Sequence, residues 1–125
     1  MLLGRIATAA LGSLALAGLL LSTAFAHHGW SFYGDEDFSL SGQVVATHFG
    51  NPHDRLTLEV DGKHWNLVLS PPQRSRRAGF ADHQVTVGDT ITAFGHRHRD
   101  QDKLEMKTER LKIGGYSYDL YPNRL

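Results

Sequence analysis

Residues 55–60, Arg-Leu-Thr-Leu-Glu-Val, alternate polar and apolar and run directly into Asp61-Gly62. A period of two places Leu56, Leu58 and Val60 on one face and Arg55, Thr57 and Glu59 on the other, which is a strand with one buried side. Asp-Gly tolerates the positive φ that a two-residue hairpin turn needs, so the chain must double back here. Trp65, Leu67 and Leu69 then carry the inward face of the returning strand. A helix cannot satisfy this pattern, and the rest of the chain has to fit around a β-hairpin.

The flanking segments extend it. Phe38-Ser39-Leu40, then Val44, Val45, Ala46 and Phe49, read as a long first strand, with Gly42 as its expected bulge. Gly50 to Asp54 is a loop. After the hairpin, Ser70 has the character of an N-cap, proline is favoured at the first helical position, and Gln73 completes a capping-box spacing. A short helix to Ala78, stopped by Gly79, is predicted. Gly88-Asp89 introduces a strand with Ile91 and Ala93 on one face and Phe94 on the other. Leu104 and Met106 differ in parity from Leu111 and Ile113, which calls for a bulge near Thr108-Glu109. The same stretch, Lys103 to Ile113, is rich in helix formers, so a helix is the alternative there. Gly114-Gly115 turns the chain into an edge strand, Tyr116 to Leu120, ended by Pro122. The expectation is an all-β fold with one short helix: a small five- to six-stranded OB-like barrel, its helix between the third and fourth strands. In that fold the binding surface lies on strands 2 and 3 and the loops joining 1–2 and 4–5.

The amino-terminal segment has a different character. Arg5 precedes the uncharged apolar run Ile6–Leu21, and Ala24 and Ala26 occupy the two small positions of an A-x-A cleavage site. Residues 1–26 therefore read as a signal peptide cleaved after Ala26. The alternatives are cleavage after Ala24 and retention as an uncleaved anchor. Residues 27–37 form a His- and aromatic-containing segment, and 38–125 the barrel. Removing 26 of 125 residues leaves 99, with no cysteine. An exported domain of this size without disulfides is held by its core alone, which about 100 residues can manage. With Arg5 gone, 12 basic residues face 13 acidic ones, a balance that disfavours general nucleic-acid binding.

Chemistry-bearing residues fall in three places. The 1–2 loop carries His53, and the 4–5 loop carries His96, Arg97, His98 and Arg99. On the OB order these loops share one end of the barrel, where imidazoles bind Cu, Zn, Ni or Fe and guanidiniums bind carboxylate or phosphate. Processing exposes His27-His28 at the mature terminus, and a terminal amine with adjacent imidazoles suits Cu(II). Arg74 and Arg77, three apart on the short helix, share a face from which they could clamp an anion. Each group has a plainer reading: a solvated barrel rim, a frayed terminus and a solvated helix face. Trp65 alternates with core residues and is expected in the core. No nucleophile elbow, phosphate loop, H-E-x-x-H or paired-carboxylate pattern is present.

AHHGW, NPH, LSPPQRSRRAG, VGD followed by GHRHRD, and the GG-to-LYP ending together resemble a family of small secreted bacterial domains of unknown function, domain of unknown function 6152. The shared positions here are His27 and His28, Asn51-Pro52-His53, and Pro71, Pro72, Arg74, Arg77, Ala78 and Gly79. The resemblance covers nearly the whole mature chain and implies export, but it carries no activity. The expected role is a non-enzymatic periplasmic binding domain with copper as the most concrete ligand. His27 and His28 are the leading copper ligands, with His53, His96 and His98 behind them. Arg74, Arg77, Arg97 and Arg99 are candidates to contact an anion or a partner. The alternative is an adaptor for another envelope protein. An oxidase built on a terminal-histidine copper site is a third reading, weakened by the small size of the chain.

Overall fold

A long strand shared between neighbours organises the molecule. The computed structural model describes residues 29–125. Residues 1–26, expected as a signal peptide, and the His27-His28 pair lie outside the described residues. Residues 29–31 are helical and belong to a separate unit, and residues 32–125 form the unit described below.

Its elements are β1 (Phe38–His48), β2 (Arg55–Val60), β3 (Lys63–Val68), α1 (Pro72–Arg77), β4 (Thr90–Arg97), β5 (Glu105–Ile113) and β6 (Tyr116–Asp119). Short 3-10 turns follow α1 at Asp82–Gln84 and β6 at Pro122–Arg124. The strand order is β3-β2-β1-β4-β5-β6, and a parallel pairing of β3 with β5 closes the first five strands into a barrel. The predicted OB order is therefore observed, with β6 added at the edge. The 103–113 segment is a strand, because its apolar residues complete the barrel interior: Met106 and Leu111 are fully buried.

The hairpin forms as the alternation requires. Arg55 pairs with Val68, Thr57 with Asn66 and Glu59 with His64, and both turn residues have positive φ, 51° at Asp61 and 76° at Gly62. Leu56, Leu58, Trp65, Leu67 and Leu69 enter a core shared with Val44, Phe80, Ile91, Ala93, Met106, Leu111 and Leu120. The bulge predicted near Thr108-Glu109 is present. Phe94 faces Arg110 and Gly95 faces Thr108, so Glu109 is the extra residue.

Two local expectations are corrected. Gly42 is not the bulge of β1, since the ladder to β2 slips between Val44 and Ala46. Glycine is needed at 42 because a Cβ there would collide with the Glu59 carbonyl oxygen and with Val60 Cγ2, 2.8 Å away. Ser70 is not the helix N-cap either. With Pro72 at the first helical position, the cap falls on Pro71, and no side chain caps the helix. The buried Ser70 hydroxyl pairs instead with that of Ser75, 2.7 Å away, tying the end of the strand to the helix.

Among the described residues no helix is long and apolar enough to cross a membrane.

Candidate ligand-binding surface

Because Leu56, Leu58, Trp65 and Leu67 point inward, their neighbours Arg55, Thr57 and Asn66 must stand on the outer wall of the barrel. There they join Ala46, Thr47 and His48 at the end of β1 to line an open depression of about 600 Å³. Its lining mixes apolar surface with hydroxyl, amide, guanidinium and imidazole groups. The depression lies on the strands from which an OB-type barrel binds.

The side of this wall nearest the barrel closure is organised by a carboxylate that the sequence did not single out. Glu105 opens β5 beside Asn66 of β3. Its Oε1 accepts the Asn66 amide at 2.8 Å and its Oε2 accepts the Tyr33 hydroxyl at 2.9 Å. Burial, and then the Glu105 charge, push the Tyr33 phenol far above its ordinary value, so it remains a donor. In sequence Glu105 is one polar residue between Leu104 and Met106, and nothing marks it as a hub.

The candidate histidines have separate settings, and His96 and Arg97 lie in β4, paired with Lys107 and Met106 of β5, rather than in the 4–5 loop as expected. His98 is buried, stacked on Phe32 at 6.1 Å and edge-on to Tyr33 at 5.4 Å. Its Nδ1 accepts the backbone N–H of Asp100 at 3.0 Å, which directs Nε2 toward Glu105 at 3.9 Å. His96 donates from Nδ1 to the Glu36 carbonyl at 2.9 Å, and its Nε2 lies 3.1 Å from Glu109 Oε1. The latter is an ion-pair contact off hydrogen-bond geometry. His53 is half-buried, and its imidazole is pushed down by burial and then by the charges of Lys107 and Arg55. Those positive charges also oppose a metal ion there. Among the described residues no group of three or more His, Asp or Glu side chains is placed to hold one.

The arginines are likewise dispersed. Arg97 covers Trp65, its guanidinium carbon 4.8 Å from the ring centroid, and donates to the Gln101 carbonyl at 3.1 Å. Arg99 lies 3.5 Å from Asp35. Arg74 lies over the Tyr121 ring at 4.8 Å, and Arg77 is exposed on the last turn of α1. Trp65 is a core residue, 7% exposed.

The bulge sets one more group. Glu109 is 4% exposed and lines a recess of about 310 Å³ with Asp37, Phe38, Phe94, Arg110 and Arg124. Burial raises its carboxyl above the ordinary range, against the opposing charges of His96 and Arg124. The folded state therefore holds this proton more tightly than the unfolded chain does, and the buried charge costs stability at pH 7. Glu109→Gln is expected to be more stable than the parent at pH 7, with the gap narrowing as pH falls through the carboxylate range. Urea unfolding at pH 7 and pH 4 measures it. A Gln variant that is less stable than the parent at pH 7, with the deficit shrinking at pH 4, would show the opposing charges to outweigh the burial.

Comparison with known proteins agrees with the barrel. The chain is similar to one in the crystal structure of the S. pombe Stn1-ten1 complex, with a TM-score of 0.53 and 13% identity. The likeness covers 66% of this chain and 65% of that one, and at this identity it concerns the fold alone. No curated protein matches. A model described as a family of unknown function (DUF6152) matches residues 15–107.

Proposed function

This chain belongs to the DUF6152 family of unknown function, and we propose that it is an exported, non-catalytic binding domain of the periplasm. The observation that carries this reading is the depression on β1, β2 and β3, lined in part by Arg55 and His48. Thr47, Thr57 and Asn66 supply hydrogen-bonding groups there, on a wall held by a full core. This is a surface for recognition by hydrogen bonds and one positive charge.

The copper component of the proposal rests on His27 and His28. The barrel imidazoles of His53, His96 and His98 are engaged by neighbouring charges and hydrogen bonds, so a metal role falls to the pair freed by processing. A mature His-His terminus offers Cu(II) an amine, an amide nitrogen and imidazoles, the nitrogen-rich set this ion prefers. The test is a competitive Cu(II) titration of natively exported protein whose amino terminus is confirmed by intact mass, beside a form with one extra residue before His27. Tight one-to-one binding that weakens at least tenfold in the extended form is expected. Binding no tighter than that of a generic His-containing peptide removes the copper component and leaves the adaptor for an envelope protein. That adaptor would use the β1–β3 wall, and Thr57→Trp, which fills the depression from outside the core, would abolish its cross-linking to the partner.

A further inference from the structure

Two rungs of the outer wall build the depression on β1, β2 and β3. In one, Arg55 stands between His48 of β1 and Val68 of β3; in the other, Thr57 stands between Ala46 and Asn66. An opposite charge across the strands would stabilise an exposed arginine here, yet neither neighbour of Arg55 is a carboxylate. The carboxylates around it are committed elsewhere. Asp54, next in sequence, is 3% exposed, and its Oδ1 accepts the Gly50 N–H at 2.9 Å. Glu105, on the far side of Asn66, has its two oxygens taken by the Asn66 amide and the Tyr33 hydroxyl. Glu59, the next carboxylate on this face of β2, stands two outward positions farther along, about 13 Å away at the rise of a strand. Among the described residues Arg55 has no ion-pair partner, and it lines a depression of about 600 Å³.

We infer that the depression takes a hydroxylated monocarboxylate, a sugar acid in the simplest case, with Arg55 holding the carboxylate and His48, Thr47, Thr57 and Asn66 reading the hydroxyls. The inference rests on the depression being the binding surface proposed above. A guanidinium presents parallel N–H groups that match the two oxygens of a carboxylate. One permanent cation balances one negative charge, which a monocarboxylate supplies and a phosphate dianion exceeds. The Thr47 and Thr57 hydroxyls can each donate and accept. Glu105 accepts from the Asn66 amide nitrogen, so the amide oxygen is left as an acceptor whose orientation is set before a ligand arrives. That mixture suits a partner carrying several hydroxyls. A nucleic acid fits less well. Among the described residues the lining holds no Trp, Tyr or Phe on which bases could stack, and it has one arginine rather than a track of cations. The volume admits a hexose-sized acid.

The test follows the amide signals of natively exported, isotope-labelled protein during titration with D-glucuronate, with D-glucose as the neutral frame and acetate as the bare carboxylate. Glucose 6-phosphate supplies the dianion. Glucuronate is expected to shift the signals of residues 46–48, 55–57 and 66 saturably, with glucose and acetate each binding about tenfold more weakly. Arg55→Gln, at an exposed position, is expected to bring glucuronate down to the level of glucose. Thr57→Val is expected to weaken it about fivefold, the loss of one hydrogen bond. Arg76→Gln, exposed on α1, is expected to leave the titration unchanged. Circular dichroism confirms that each variant is folded. Glucose and glucuronate shifting these signals equally, in the parent and in Arg55→Gln alike, overturns the acid while the depression stands as a binding surface. Tighter binding of glucose 6-phosphate, lost in Arg55→Gln, overturns the carboxylate in favour of phosphate. If no probe shifts β1–β3, the sugar-acid inference falls, and the surface itself is judged separately by Thr57→Trp and cross-linking.

Discussion

Replacing Gly95 by alanine is expected to remove a large part of the domain's stability. Gly95 faces Thr108 immediately beside the bulge at Glu109, where β4 and β5 approach closely. An added Cβ would overlap the Lys107 carbonyl oxygen and lie 2.9 Å from its carbon and 3.1 Å from Thr108 Cα. All three obstacles are backbone, so no rotamer change relieves them. The strands must separate, which disrupts the β4–β5 ladder and the bulge that aims Glu109. A loss on the order of 4 kcal/mol follows from this class of clash, against a total of about 5–15 kcal/mol for a domain. Gly50→Ala is the control, since a Cβ there meets only the His48 ring at 3.5 Å, an ordinary contact. Urea unfolding of the three proteins decides it. A Gly95→Ala protein within about 1 kcal/mol of the parent would mean that β4 and β5 lie farther apart than described.

Lys107→Met is expected to act in the opposite direction. The folded state lowers this ammonium from 10.5 to about 8, through burial first and the Arg124 charge second. A lysine whose folded value lies below its unfolded one is destabilising while charged. Stability rises with pH between the two values, as the unfolded chain binds the proton that the folded one has released. The shift corresponds to about 3 kcal/mol at 1.36 kcal/mol per pH unit. Loss of the hydrogen bond to Leu69 returns about 1 kcal/mol, so methionine should stabilise the domain by about 2 kcal/mol at pH 7. The advantage should shrink as pH rises from 8 toward 10.5. Unfolding in phosphate-free buffer at pH 7 and pH 10 measures both values. A methionine variant that is less stable at pH 7 would show that the neighbours of Lys107 hold its charge favourably.

Much of the barrel was legible in local patterns because those patterns are local physics. Alternation at 55–60 and 65–69 fixes which side chains point inward, and Asp61-Gly62 and Gly114-Gly115 supply the positive φ that their turns adopt. The change of parity between Met106 and Leu111 required one extra residue, and Glu109 is that residue. Where the local reading missed, distant chain had intervened. Gly42 looks like a bulge in isolation, but it is glycine because the Glu59 carbonyl crosses it. Ser70 has the chemistry of a cap, but two prolines move the helix start and leave its hydroxyl to Ser75.

The sequence by itself determined the strand periodicity, the turns, the place of the helix and the family. It also marked the histidines and arginines as the groups capable of chemistry. Only the tertiary structure decided what those groups face. Closure of β3 onto β5 makes Glu105 a hub between Asn66 and Tyr33, and packing of the chain end onto β5 and α1 sets Lys107 and Arg74 against Tyr121. A charge is written in the sequence. Its desolvation and its neighbours depend on residues tens of positions away, and pattern along the chain carries no record of them.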